Sequence, residues 1–169
     1  GLVGSEMCIR DRRWSLPERL GSFALTENSD VLLMGLASRF AFCDLNTGIF
    51  TPVVASPGGP GTRTGDGRCD REGNFVFGTM DDGYPAKVIG RFHRLNAATL
   101  SIETLPLPEV AIPNSICFSP DGSTMYYCDS MQGRIMCCDY PSMNNQRVFT
   151  ATEGKGAPDG SCVDAMGYV

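Results

Sequence analysis

Histidine and tryptophan are almost absent from this sequence, and the patterns that define several protein classes are missing altogether. There is one histidine and one tryptophan among 169 residues. No apolar run approaches the roughly 18 residues that a membrane-spanning helix needs, so we expect no membrane partner. Long basic stretches are also absent and the formal net charge is −5, which argues against nucleic acid as a partner.

The scarcity of histidine bears on catalysis. The only histidine, His93, lies in the alternating run 91–95, which we interpret as an outer strand with His93 as a surface or packing residue. The sequence also lacks the Gly-x-Ser-x-Gly elbow of many serine hydrolases. These two absences argue against a serine-hydrolase triad.

Cysteine pairs spaced as Cys-x-x-Cys are absent too, although the chain has eight cysteines. Zinc ribbons and redox motifs need that spacing. Cys137 and Cys138 are adjacent, so in a strand they would point to opposite faces and could hardly bind one ion together. We therefore expect reduced, mostly buried thiols and a cytoplasmic location.

Turn-forming residues are plentiful: 20 glycines and 11 prolines, with 42% hydrophobic residues, indicate a globular protein with many turns. Residues 1–12 do not join the pattern that follows, and they lack the basic start and apolar middle of a signal peptide. They resemble a translated sequencing-adapter tag. We therefore divide the chain into a non-native tag at 1–12 and a partial domain at 13–169. We expect this domain to be truncated at both ends, at Val169 within a strand.

A repeat of about 45 residues is marked by short turn sequences. Four-residue turns end at Gly73, Gly122 and Gly167, at intervals of 49 and 45 residues, and a glycine-free copy ends at Asp30. Asp, Asn, Pro and Gly stand in these turns where hairpins need them. Repeats of this length are typical of solenoids and propellers.

Each period contains four strand-like runs. They are residues 22–25, 31–36, 39–45 and 51–54, then 67–70, 74–80, 88–95 and 101–105, then 115–118, 124–128, 134–139 and 147–150. A fourth period begins at Gly160. Four short strands per period without a helical stretch are typical of a propeller blade, whereas a β-sandwich would not explain the fixed period. An incomplete ring exposes strand edges, so we expect the chain to be poorly soluble on its own.

The start of the first strand in each blade is where chemistry is expected, because these strands line the central channel. Eight residues before the turn glycines stand Gly65, Asn114 and Asp159. Positions related by symmetry converge on the axis, so an amide oxygen and a carboxylate would lie side by side. Oxygen ligands suit a hard divalent cation. The alternative is that Asn114 and Asp159 only cap turns through local backbone hydrogen bonds.

Several ordered motifs resemble the regucalcin (senescence marker protein)/gluconolactonase family. They are PNSICFSPDG at 113–122 with MYYCDS at 125–130, RTGDGRCD at 63–70 with GTM at 78–80, NQRVF at 145–149 and PDG at 158–160. The resemblance runs from about Trp14 to Val169. It implies an all-β fold, a six-bladed β-propeller, of which only about half of the ring is present in this chain.

The resemblance also implies roles for particular residues. In that family a Glu, an Asn and an Asp bind one divalent cation, here Ca²⁺, Mg²⁺, Mn²⁺ or Zn²⁺, and Asn114 and Asp159 match the last two ligands. The Glu ligand would lie upstream of the genuine sequence, so we expect an incomplete metal site. Arg63 is implied to contact substrate, and Gly65 stands where the family commonly has a substrate-contacting Asn.

Two more acidic residues are candidates. Asp82 falls near another family carboxylate that contacts substrate. Asp129 is either a support for the site or a turn residue at the end of a strand, and we favour the turn.

The function implied by the resemblance is divalent-metal-dependent hydrolysis of a sugar lactone by the full-length parent, this fragment itself being inactive. The cation would polarise the lactone carbonyl, and Asp159 would be the catalytic general base that accepts the proton of water. The alternatives are a non-catalytic calcium-binding or protein-interaction propeller, and a related arylesterase-type hydrolase. Fold alone does not separate these functions.

Overall fold

Strands account for nearly all of the regular structure in the computed structural model, which describes residues 15–154 and 156–169. They are β1 Leu20–Leu25, β2 Val31–Leu36, β3 Arg39–Asp44, β4 Phe50–Ala55, β5 Thr62–Cys69, β6 Phe75–Asp81, β7 Phe92–Leu95, β8 Ile102–Thr104, β9 Pro113–Phe118, β10 Thr124–Asp129, β11 Arg134–Asp139 and β12 Arg147–Ala151. The only helical segment in these ranges is a 3-10 turn at Ser130–Gln132. No helix in the described ranges has the length and apolar character needed to cross a membrane. The tag predicted at 1–12 lies outside the described residues.

The strands form three four-stranded antiparallel sheets, each in chain order: β1 to β4, β5 to β8 and β9 to β12. The first strand of each sheet packs beside the first strand of the next, so β1, β5 and β9 are the innermost strands. This is the arrangement of three consecutive blades of a β-propeller. The four-strand repeat predicted from the turn sequences is confirmed.

Three of the predicted strands are wrong in extent or in kind. Strand β5 begins at Thr62 rather than at residue 67, because its first residues pair with the end of β6. The run 88–95 forms a strand only over Phe92–Leu95, and Gly90 pairs singly with Val110. The fourth period forms its turn at 164–167 but no strand within the described residues, Val169 included. A strand needs a paired neighbour for its backbone groups, and single hydrogen bonds hold this segment instead.

Each innermost strand carries one extra residue near its start. The irregularity falls at Gly21 in β1, at Gly65 and Asp66 in β5, and at Ser115 and Ile116 in β9. Ser115 takes a positive φ of 58° there. Such β-bulges bend a strand and re-aim its side chains, and they are common beside active sites.

Apolar side chains of neighbouring blades meet in two seams. The first seam, between blades one and two, contains Leu33, Phe40, Phe75, Phe77 and Leu95. The second seam, between blades two and three, contains Val76, Phe92, Ile116, Met125 and Tyr127. Because side chains alternate along a strand, Phe75 and Phe77 of β6 face the first seam and Val76 faces the second.

Most cysteines within the described residues are buried, as predicted. All seven within the described residues are free, and five of them are buried. Cys138 packs in the second seam and Cys137 on the opposite face of the same sheet. Burial raises the pKa of Cys138 to about 12 and that of Cys117 to about 11. These thiols therefore stay protonated and unreactive at neutral pH.

Exposed apolar side chains bear on the solubility of the chain by itself. Phe23, Leu25 and Phe149 are among those exposed, and no further sheet covers the outer faces of blades one and three within the described residues. We expect the isolated chain to associate, because exposed apolar faces and strand edges favour it. Light scattering and thermal melting of the purified chain test this. A monomer with a sharp cooperative melt would contradict it.

His93 is a packing residue buried in the first seam. Its Nε2 and Nδ1 lie 3.0 Å and 3.1 Å from the hydroxyls of Thr79 and Thr104, and its ring stacks on Phe77. Burial, with a smaller contribution from the charge of Arg91, lowers the pKa of His93 to about 4. Both ring nitrogens are occupied, so this histidine is not available as a general base.

The lowered pKa of His93 predicts a pH-dependent stability. The neutral ring stabilises the fold fully above its unfolded pKa of about 6.5, and this contribution is lost as the pH falls toward 4. We expect a loss of about 1–2 kcal/mol between pH 7 and pH 5 from this residue. Urea unfolding at both pH values gives the free energy of unfolding of the wild type and of His93→Gln. If this free energy falls by the same amount between pH 7 and pH 5 in both proteins, the prediction is wrong.

Candidate active site

The predicted site residues lie together near the start of the innermost strands. Arg63 and Gly65 are in β5, Asn114 is in β9, and Asp159 is in the extended segment beyond β12. The carbonyl oxygen of Asp159 accepts a 2.6 Å hydrogen bond from Ser115 Oγ. Because Ser115 follows Asn114 directly, the two predicted metal ligands lie on neighbouring backbone segments. Their roles stay predictions.

The Asn114 amide is oriented by a chain of hydrogen bonds. Its Nδ2 donates to Ser130 Oγ at 3.1 Å, and that hydroxyl donates to the carbonyl oxygen of Pro158 at 2.7 Å. Since the Ser130 proton is used in this way, the hydroxyl accepts from the amide. The Asn114 Oδ1 receives no hydrogen bond from the described residues. The turn-capping alternative is therefore wrong for Asn114, and its oxygen is free for a ligand.

The Asp159 carboxylate is exposed to solvent. Its Oδ1 accepts a 2.9 Å hydrogen bond from the backbone N–H of Gly160, and its Oδ2 has no hydrogen-bond partner in the described part of the chain. Local capping therefore occupies one oxygen and leaves the other available. Such a carboxylate can bind a cation or accept a proton.

Asp66 is a nearby carboxylate that sequence reasoning did not single out. Its Oδ2 accepts from the N–H of Ile116 and its Oδ1 from that of Gly67, both at 2.9 Å. Burial raises the pKa of Asp66, these hydrogen bonds lower it, and the negative charge of Asp159 raises it further. The charge of Asp159 therefore acts on Asp66. The signal in the sequence was an acidic residue between two glycines, Gly65 and Gly67.

Arg63 and Asp82 are also brought together. Arg63 Nε lies 3.3 Å from Asp82 Oδ1, and its Nη1 donates to the carbonyl oxygen of Thr64 at 3.1 Å. Asp82 directly follows β6, the strand that pairs with β5. This ion pair joins two candidates that the sequence offered separately.

Gly65 stands in β5 where the family commonly has an Asn. A Cβ built on it would be in ordinary van der Waals contact with Pro113 and the carbonyl oxygen of Gly78, at 3.8 Å. Backbone crowding at the Cβ position therefore does not require a glycine here.

Asp129 has the turn role that we favoured. Its carboxylate accepts hydrogen bonds from the backbone N–H groups of Ala111, Ile112 and Met131 at 3.0–3.1 Å. It ends β10 and caps the 3-10 turn that follows. These contacts are with the backbone, so Asp129 shapes the loop that carries Ser130.

The donor atoms present fit part of a cation site. Asn114 Oδ1 and Asp159 Oδ2 are oxygen donors of the kind that hard divalent cations prefer. No group of three or more His, Cys, Asp or Glu side chains within the described residues could hold a metal ion. The roles of Asn114 and Asp159 as metal ligands stay predictions, and the predicted Glu ligand is not among the described residues.

The sequence of the chain matches the model of one protein family. The model of the "SMP-30/Gluconolactonase/LRE-like region" matches residues 6–169. The chain belongs to this family. The regucalcin/gluconolactonase resemblance predicted from the motifs is thereby confirmed.

Individual members of the SMP-30/gluconolactonase family are similar to the chain over most of its length. An L-arabinolactonase of Azospirillum brasilense is 52% identical over 159 residues, which are 91% of this chain and 53% of that protein. Regucalcin of Xenopus laevis is 30% identical, over 98% of this chain and 60% of that protein. The crystal structure of a regucalcin from Agrobacterium tumefaciens, titled a calcium-binding protein, superposes with a TM-score of 0.80 at 30% identity, over 90% of this chain and 52% of that one.

The chain spans about half the length of these family members. Three blades in that half correspond to a six-bladed ring, so the predicted fold, half of a six-bladed β-propeller, is confirmed.

Proposed function

We propose that the protein hydrolyses sugar lactones with the help of one divalent cation. The observation that carries this proposal is that Asn114 and Asp159 lie on neighbouring backbone segments, each with one side-chain oxygen that has no hydrogen-bond partner among the described residues. Arg63 lies in β5, which packs beside the strand of Asn114. Membership of the SMP-30/gluconolactonase family and 52% identity to an L-arabinolactonase support the substrate class. L-arabinolactone is therefore the first substrate to test.

Asn114, Asp159 and Arg63 have different roles in the proposed reaction. When bound by Asn114 and Asp159, a divalent cation would polarise the lactone carbonyl and lower the pKa of water. The free oxygen of Asp159 accepts a proton from the attacking water. The new C–O bond forms at the carbonyl carbon and the ring C–O bond breaks. The proton that Asp159 took from water passes to the ring oxygen, which gives the open hydroxy acid and restores the Asp159 carboxylate. The Arg63 guanidinium, always charged, holds lactone oxygens in place.

The test uses the protein encoded by the whole reading frame that contains this chain, called the intact protein below. Hydrolysis of L-arabinolactone and of a panel of other sugar lactones is measured after chelation and again with Ca²⁺, Mg²⁺, Mn²⁺ or Zn²⁺ restored. We expect activity to be lost on chelation and recovered with metal. The uncatalysed rate at the same pH and metal concentration is the control, because lactones also open without enzyme.

Two outcomes would replace the proposal. A folded protein that binds metal without turnover on the panel would indicate a calcium-binding propeller. The similarity to a calcium-binding regucalcin and the Gly at position 65 favour this alternative. Faster turnover of aryl esters than of lactones would indicate the arylesterase-type alternative.

A further inference from the structure

Two arginines share one carboxylate oxygen beside the candidate site. Arg19 Nη1 lies 2.8 Å from Asp82 Oδ1, and Arg63 Nε lies 3.3 Å from the same oxygen. Arg19 directly precedes β1, in the first blade, whereas Asp82 and Arg63 belong to the second. The contact between Arg19 and Asp82 therefore joins blades one and two, and Asp82 brings the guanidinium of Arg19 close to that of Arg63.

The backbone holds each partner in place. The carbonyl oxygen of Arg19 accepts a 2.9 Å hydrogen bond from the N–H of Ala37, and the N–H of Asp82 donates to the carbonyl oxygen of Gly61 at 2.9 Å. The contact between Arg19 and Asp82 is thus made between two anchored segments.

Arg63 has one nitrogen left for a ligand. Its Nε faces Asp82 and its Nη1 donates to the carbonyl oxygen of Thr64. Its Nη2 has no hydrogen-bond partner in the described part of the chain. The exposed fraction of the side chain rises from 22% for Arg63 to 47% for Asp82 and 63% for Arg19. Arg63 is therefore innermost, and Arg19 stands behind Asp82 on the solvent side.

Arg19 also affects which nitrogens of Arg63 the Asp82 carboxylate contacts. A lone carboxylate facing an arginine prefers a two-pronged contact, in which both of its oxygens take N–H groups of the same guanidinium. That contact would occupy the Nη2 of Arg63. Arg19 Nη1 donates to Asp82 Oδ1, the same oxygen that faces Arg63 Nε, so Arg19 competes for that oxygen. The pKa of Arg63 is lowered, first by burial and then by the positive charge of Arg19.

We propose that Arg19 is a positioning residue for the reaction: acting through Asp82, it keeps the Nη2 of Arg63 free for a lactone oxygen. This inference rests on the proposed function. Arg19 acts through Arg63, and Arg63 holds the substrate but takes no part in bond breaking. Arg19 should therefore influence substrate affinity and not the chemical step.

A double-mutant cycle in the intact protein tests the inference with L-arabinolactone as the probe. We expect Arg19→Ala to raise KM about 3- to 5-fold with kcat changed less than about twofold, the size that a partly exposed ion pair permits. If Arg19 acts only through Asp82, Arg19→Ala combined with Asp82→Asn should be no worse than Asp82→Asn alone. Independent, multiplying effects of the two substitutions, or a fall in kcat with KM unchanged, would overturn the inference.

Arg147→Ala is the matched control. Arg147 is 55% exposed and faces Asp139, which is 46% exposed, at 3.9 Å in the third blade, so its environment resembles that of Arg19. KM should stay within about 1.5-fold of the wild-type value, as expected for a surface ion pair away from the site. A KM effect as large as that of Arg19→Ala would mean that loss of any surface charge explains the result.

A second measurement separates this inference from the proposed function. The NMR signal of the Arg63 Nε–H group, assigned by its loss in Arg63→Lys, reports how well ordered the guanidinium is in the intact protein. This readout does not depend on lactone hydrolysis. We expect a sharp, ordered signal in the wild type and in Arg147→Ala, and a shifted or broadened one in Arg19→Ala. A wild type inactive on every lactone would refute the proposed function. An Arg63 signal unchanged by Arg19→Ala would refute the positioning role.

Discussion

Asp159→Ala should lower kcat for metal-restored lactone hydrolysis by about 1000-fold or more in the intact protein, because the substitution removes a general base and a metal ligand at once. The carboxylate is exposed, and one of its oxygens has no hydrogen-bond partner among the described residues. Asp66, a carboxylate on which the charge of Asp159 acts, already accepts a backbone hydrogen bond at each oxygen, so we do not expect it to replace Asp159 as the base. Initial rates with saturating metal measure the effect, and calorimetric metal titration measures binding.

Asp159→Asn separates the two roles of this residue. The amide keeps one oxygen that can face a cation but accepts no proton, so we expect metal binding to survive better than activity. Asp164→Ala is the control, because Asp164 lies in the same segment and its carboxylate caps a local turn through Met166 and Tyr168. An Asp159→Ala protein with more than a tenth of the wild-type kcat would exclude Asp159 as the base.

Phe77→Ala should lower the free energy of unfolding of the intact protein by about 3–5 kcal/mol, the usual cost of removing a buried aromatic ring. Phe77 is fully buried in the first seam. Its ring centroid lies 4.6 Å from that of Phe40 and 5.2 Å from that of His93. The cavity would therefore open between two blades whose strands pair only within their own sheets, although the N–H of Thr64 donates a hydrogen bond to the carbonyl oxygen of Ala37 across the boundary.

Urea unfolding of the intact protein measures this loss. Ile49→Ala is the control, since Ile49 is 62% exposed between β3 and β4, and we expect a change within about 0.5 kcal/mol there. A loss below about 1 kcal/mol for Phe77→Ala would mean that the seam repacks or contributes little to stability.

The blades and their order were predictable because their signals are local. Turn residues such as Gly73 and Gly122 recur at nearly constant intervals, and each turn is formed by residues adjacent in sequence. The alternation of Phe75, Val76 and Phe77 encodes which side chain faces which seam, since a strand alternates faces with every residue. Counting back eight residues from the turns then found Asn114 and Asp159.

Strand extents were less predictable, because pairing overrides local pattern. Strand β5 reaches back to Thr62 where β6 offers backbone groups to pair with, and the run beyond Gly160 forms no strand where no such partner is described. The bulges were also invisible in the sequence, since one extra residue changes neither the composition nor the turn spacing enough to be recognised.

The sequence by itself determined that this protein is built of four-stranded blades and where the turns that mark their repeat lie. Tertiary structure alone decided which of those residues meet: Asp82 lies 63 positions from Arg19, and Asp66 accepts a hydrogen bond from Ile116, 50 positions away. Turn preference and strand alternation act between neighbours in the chain. Contacts between charged groups of different blades depend on how whole sheets pack, which no short motif encodes.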